Sequence, residues 1–197
     1  TMHPIITEKL QYDNETENTL AHYIAYYGTP HCLNYQKKIL ENKSKPITYP
    51  KNKEGNNIIH IASLKGNYDL VYHLISTITE SESENGNNNS KPENTTSKTP
   101  NNHGDTILHC AVRSGSFNSV KIILDKFSDL TKIKNKYGET PLHTAMHPVR
   151  HETELEKTDE IKDRMNLHIV KILVKKDKET LKGKNEKGES LLETLSK

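Results

Sequence analysis

One eight-residue phrase constrains this chain more than any bulk property: Gly-Glu-Thr-Pro-Leu-His-Thr-Ala, residues 138–145. With Thr140 as its origin, the same frame fits the stretches from Thr106, from Asn57 and, loosely, from Thr19. A fifth start at Ser190 ends with the chain. Only the step from Thr106 to Thr140 approaches a regular period, so the other intervals must hold inserts. Recurrence of this kind predicts a stacked array, in which no unit buries its apolar face without neighbours.

Each position of the phrase has a physical task. Thr or Ser at the origin caps a helix by accepting a bond from a free backbone N–H. Pro141 sits at the first helical position, where its missing N–H costs nothing. Leu142, Leu108 and Ile59 begin a buried face. Ala145, Ala111, Ala62 and Ala25 keep that face slim, so that a second helix can come close. Gly115 and Gly66 end the first helix in a left-handed conformation. Apolar runs at helical spacing follow from Asp69, Ser119 and His168 and predict the second helix of each unit. Gly55, Gly104, Gly138 and Gly188 mark a turn ahead of each phrase.

These residues resemble the ankyrin-repeat family, whose pattern runs Gly-x-Thr-Pro-Leu-His, then Ala-Ala, Gly and a Val-Val-Lys-Leu-Leu-like second helix. The stretch from Asn101 to Ala145 carries the resemblance most strongly and the unit at Thr19 most weakly. Val149 departs from the pattern, standing where Gly is expected. The resemblance implies an all-α solenoid of helix-turn-helix units joined by β-turn or hairpin loops. The expected organisation is an N-terminal tail over 1–13, then an array over 14–197. Within the array, a degenerate repeat covers about 14–50, a repeat 51–78, a disordered insert 79–100 and a repeat 101–134. A repeat with a charged insert covers 135–182, and a partial capping repeat 183–197.

The two inserts differ in kind. Residues 79–100 hold no large apolar side chain that could offset the entropy of ordering. The segment from His147 to Asn166 alternates charges among good helix formers, and is expected to extend the second helix of its unit as a solvated rod.

Composition removes several function classes. Hydrophobic residues make up 31% of the chain, thin for one compact globule but acceptable in an array carrying polar inserts. A net charge of +2 gives no reason to expect nucleic acid. No run is long enough for a membrane span or a signal peptide. Cys32 and Cys110 are too few for a disulfide framework, and read as idle thiols in a reducing compartment. His143, His147 and His151 have a spacing able to present metal ligands, but Pro148 interrupts the helix before His151. The resemblance also gives His143 a backbone bond at a neighbouring turn. We therefore expect no metal and no other cofactor. Absence of a phosphate loop, a nucleophile elbow or a carboxylate–metal motif argues against an enzyme. Between Lys171 and Lys187, seven Lys face Asp177, Glu179 and Glu186, a pattern read as a solvated outer face.

The resemblance implies a non-catalytic module that grips a protein partner in a concave groove. With Cys32 and Cys110 in separate repeats, we expect a reduced monomer. Its composition resembles that of ankyrin effectors of intracellular bacterial pathogens. That implies a host protein as partner and a cytoplasmic location, reached in the host cell without a Sec signal peptide. The alternatives are the recognition segment of a longer protein with an enzymatic part, or a eukaryotic or viral cytoplasmic adapter. Carried onto this sequence, the groove positions are Tyr26, Tyr27, Lys53, Glu54, Asn56, Leu64, Lys65, Asn102, His103, Asp105, Arg113, Ser114, Lys136, Tyr137 and Glu139. They are expected to be free of packing duty, with Tyr26, Tyr27, Leu64, Arg113 and Tyr137 as anchors.

Overall fold

The structure, a computed structural model, describes residues 15–28, 50–84, 98–146, 159–178 and 181. The expected tail, Cys32, His147, His151 and the phrase at Ser190 lie outside them. Among the described residues there are seven α-helices and no strand. They are α1 (Leu20–Tyr27), α2 (Ile58–Leu64), α3 (Tyr68–Glu84), α4 (Ile107–Arg113), α5 (Phe117–Lys126), α6 (Pro141–Met146) and α7 (Asp159–Lys176), with a 3₁₀ turn over Ser128–Lys132 after α5.

The first helices α1, α2, α4 and α6 stack in one row, and the second helices α3, α5 and α7 in another. Small residues make the inner row possible. Ala25, Ala62 and Ala111 are fully buried where neighbouring helices approach. Ile59, Leu108 and Leu142 then close on Leu70, Leu74, Val120, Ile123, Leu124, Ile169 and Leu173 as one continuous core. At the end of α2, Gly66 takes φ 67°, which lets the Gly66 N–H reach the Ser63 carbonyl at 3.1 Å and the Asn67 N–H the Ala62 carbonyl at 2.9 Å. This paired closure occupies carbonyls that the helix leaves without partners.

Both inserts contribute helix. α3 continues through Thr79–Glu84, so the segment expected to be disordered from residue 79 begins with more than a turn of helix. Composition alone misses this, because a helix nucleated by a packed face adds one hydrogen bond for each further residue without new apolar burial. Residues 85–97 lie outside the described residues. In the charged insert, α7 already begins at Asp159, as the helix-forming composition leads one to expect.

Repeats are joined by buried imidazoles. In units headed by Thr, the His three residues on receives the Thr backbone N–H at Nδ1, at 3.1 Å for Thr19–His22 and 3.2 Å for Thr106–His109. The hydroxyl lies 2.8 and 2.9 Å from the same nitrogen. Nδ1 is therefore an acceptor and the ring proton sits on Nε2. From there it bonds the next unit: His22 to the Asn56 carbonyl at 2.8 Å, His109 to the Glu139 carbonyl at 3.0 Å. The hydroxyl, expected to act as a simple cap, thus orients a ring that bridges two repeats. Thr140 and His143 show the same 2.8 Å contact.

Asn57 replaces Thr at the head of the second unit. Its Oδ1 caps α2 by accepting the N–H groups of Ile59 and His60, both at 3.0 Å, and lies 2.7 Å from His60 Nδ1. The Asn57 N–H reaches that nitrogen too, at 3.4 Å, longer than in the units headed by Thr. The ring also hydrogen-bonds the Asp105 backbone of the next unit. Long-range ¹H–¹⁵N correlation at neutral pH should report the Nε2–H tautomer for His22 and His109. Nδ1–H at either ring would refute this assignment.

Burial pushes these imidazoles below their ordinary range, His60 to about 4. Below pH 6.5 the unfolded chain takes up a proton at each site while the folded rings stay neutral. Stability present above 6.5 is therefore lost as pH falls toward the folded values. For His60 the full loss is on the order of 3 kcal/mol. Urea titrations at pH 7 and 4.5 should show a smaller drop in His60→Gln than in the wild type.

Candidate functional site

Three turns of one design build the tips of the array: Asn52 to Asn56, Asn101 to Asp105 and Asn135 to Glu139. In each, the leading Asn Oδ1 accepts backbone N–H groups two and four residues on, at 2.9–3.1 Å. Its amide then donates to the preceding unit. Asn52 reaches Asn18 Oδ1 at 2.9 Å, Asn101 reaches Asn56 Oδ1 at 2.8 Å, and Asn135 reaches Asp105 Oδ1 at 3.0 Å. The turn backbones bond one another too, Asn102 N–H to the Glu54 carbonyl and Lys136 N–H to the His103 carbonyl, both at 2.9 Å. Gly104, at φ 77°, lets them stack: a Cβ there would lie 2.7 Å from the Lys136 nitrogen.

This ladder corrects part of the expected groove. Asn56 and Asp105 are only 4% exposed and hold neighbouring units together, so they are not free of packing duty. Glu139 is half-buried and accepts from the Asn135 amide at 3.3 Å. Arg113 Nη2 bonds Asp105 Oδ2 at 3.0 Å, so the guanidinium neutralises a buried carboxylate and is not a free anchor. Ser114 Oγ donates to the Ala111 carbonyl at 2.8 Å and closes the end of α4. Asn102 is exposed, but its amide bonds the Lys53 carbonyl at 2.8 Å. The leading Asn residues escaped the sequence reading. Their signal is an Asn three residues before each turn Gly: Asn52, Asn101, Asn135 and also Asn185 before Gly188.

The remaining positions do face outward. Lys53, Glu54, Lys65, His103, Lys136 and Tyr137 are exposed, and Leu64 is half-buried. Tyr26 and Tyr27, 50% and 69% exposed, meet edge to face with ring centres 5.1 Å apart. Lys65 Nζ sits 3.7 Å above the centre of the Tyr26 ring. Between α1, α2 and the first turn lies an open cavity of about 370 Å³ that gathers Tyr26, Tyr27, Lys53, Glu54, Leu64 and Lys65. Tyr137 belongs to a turn two units away and does not border it.

Cys110 is buried in α4, and burial pushes its thiol up to about 12, far from a reactive thiolate. Among the described residues no three His, Cys, Asp or Glu side chains are grouped to hold a metal ion. No described helix is long and apolar enough to cross a membrane. Asp177, counted on the solvated basic face, is instead 6% exposed and receives the Thr131 hydroxyl at 3.4 Å.

A family model for ankyrin repeats (three copies) matches residues 83–153. The crystal structure of EF0377, an ankyrin repeat protein, superposes with a TM-score of 0.64 over 95% of this chain and 78% of its own, at 16% identity. The fold is the ankyrin-repeat fold. No curated protein sequence matches the chain. The family match lies mainly on the units headed by Thr106 and Thr140. The units at Thr19 and Asn57 join the same ankyrin array through the imidazole and Asn bonds described above.

Because Asp105 is buried, Arg113→Glu should place like charges together and destabilise the array, by about 1–3 kcal/mol after allowing for the partial exposure of Arg113. Urea unfolding checks this. Wild-type stability in Arg113→Glu would return Arg113 to the list of groove anchors.

Proposed function

We propose that this chain is a non-catalytic protein-binding module that holds a partner polypeptide against the groove formed by its turn tips and first helices. The ankyrin fold supports the class, since ankyrin repeats are generally protein-interaction modules. The choice of surface rests on one observation: the cavity between the first two units collects two exposed tyrosines, Leu64 and two lysines around about 370 Å³. Exposed aromatic side chains beside a partly buried aliphatic one are the composition of an interface centre. In the finer form of this reading the chain acts as a monomer in a host cytoplasm, with a host protein as partner; composition and degenerate repeats support that form.

The test is site-specific photocrosslinking. p-Benzoylphenylalanine at Tyr27 should capture a partner from host-type lysate, while the same probe at Lys171 or Lys175 on the outer row should not. Capture from α7 with none from Tyr27 would move the binding surface to the basic outer face.

A further inference from the structure

We infer that the cavity between the first two units receives an acidic side chain of a partner peptide, set beside an apolar one. This rests on the groove reading above and adds the chemistry of what enters it.

A count of the polar atoms around the cavity carries the inference. Most wall acceptors are already occupied. Asn52 Oδ1 takes two backbone N–H groups, and Asn18 Oδ1 takes the Asn52 amide. Both nitrogens of His22 are in use. Glu54 Oε2 accepts the Asn56 amide at 2.9 Å, and Glu15 stands on the same wall. The other Glu54 oxygen is the exception, on an exposed side chain. The donors, by contrast, are in surplus. Neither Lys53 nor Lys65 has a carboxylate within ion-pair distance among the described residues, and both border the cavity.

Lys65 is the better placed of the two. Its ammonium lies on the Tyr26 face, which fixes the charge at the cavity edge while leaving N–H bonds outward. A carboxylate arriving there completes a ring–ammonium–carboxylate stack with little side-chain entropy left to lose. Ile61, Leu64 and Tyr27 supply an apolar wall next to that point. An arriving lysine or arginine could pair with Glu15 or Glu54 on the same wall, but at the Tyr26 ring and Leu64 it would meet the Lys65 ammonium and have to displace it. The complement is therefore an Asp or Glu next to a Leu- or Phe-like residue.

The experiment uses the whole chain, ¹⁵N-labelled, titrated with the peptide acetyl-GELEFG-amide. Peptides with Gln or Lys replacing Glu, GQLQFG and GKLKFG, serve as comparisons. Shifts should centre on Tyr27 and Leu64, with a Kd below about 1 mM. The Gln peptide should bind roughly tenfold more weakly, as expected for loss of a charge-assisted bond. Lys65→Gln with Lys53→Gln, both exposed positions, should abolish the preference for Glu over Gln, and added salt should narrow it. Equal binding of the Glu and Gln peptides, stronger binding of the Lys peptide, or no shift at this surface would each overturn the inference. If the peptide fails while crosslinking from Tyr27 succeeds, the groove reading stands and only the acidic chemistry falls. If crosslinking from Tyr27 fails too, the groove reading falls with it.

Discussion

A neutral imidazole held between one repeat and the next is the interaction on which the array depends. Its Nδ1 gathers the start of its own helix, and its Nε2–H secures the carbonyl just before the next unit's origin. Both roles require one proton per ring. A second proton would set N–H against N–H at the helix start, so burial of the ring and its low proton affinity serve the same geometry. The Asn ladder at the tips repeats this logic with amides, each binding its own turn with the oxygen and the preceding unit with the nitrogen.

The two networks also explain the surface. Polar groups near the tips are largely consumed in holding repeats together, which draws Asn56, Asp105 and part of Glu139 inward. What remains outward is a sparse set of lysines and tyrosines with Glu54, His103 and Leu64. The groove can therefore differ from one array to another without disturbing the joints, because the joints use backbone carbonyls and one recurring Asn.

Much of the fold could be read from the residues. Thr140, Pro141, Leu142 and His143 each report a local constraint, and Ala145 and Gly115 report how closely neighbours approach, so helix positions and stacking followed. The groove was harder to read. Register assigns Asp105 and Arg113 to outward positions, but only three dimensions show that Asn135 comes up beneath Asp105 and that Arg113 folds onto it. The first six positions of the expected loop were misread for a different reason. A polar run such as Thr79–Glu84 has no reason to start a helix, yet nothing in it stops one already under way.

The recurring Asn has a mechanical meaning for the array as a whole. In a one-dimensional stack, cooperativity is carried by nearest-neighbour joints, and an array divides where a joint is weakest. Between the second and third units Asn101 binds Asn56, the Asn102 N–H binds the Glu54 carbonyl, and the inner helices share one core. The longer polar insert enters the sequence at this joint. An insertion of that size is thus carried without opening the stack, and the cavity lies wholly on the first two units.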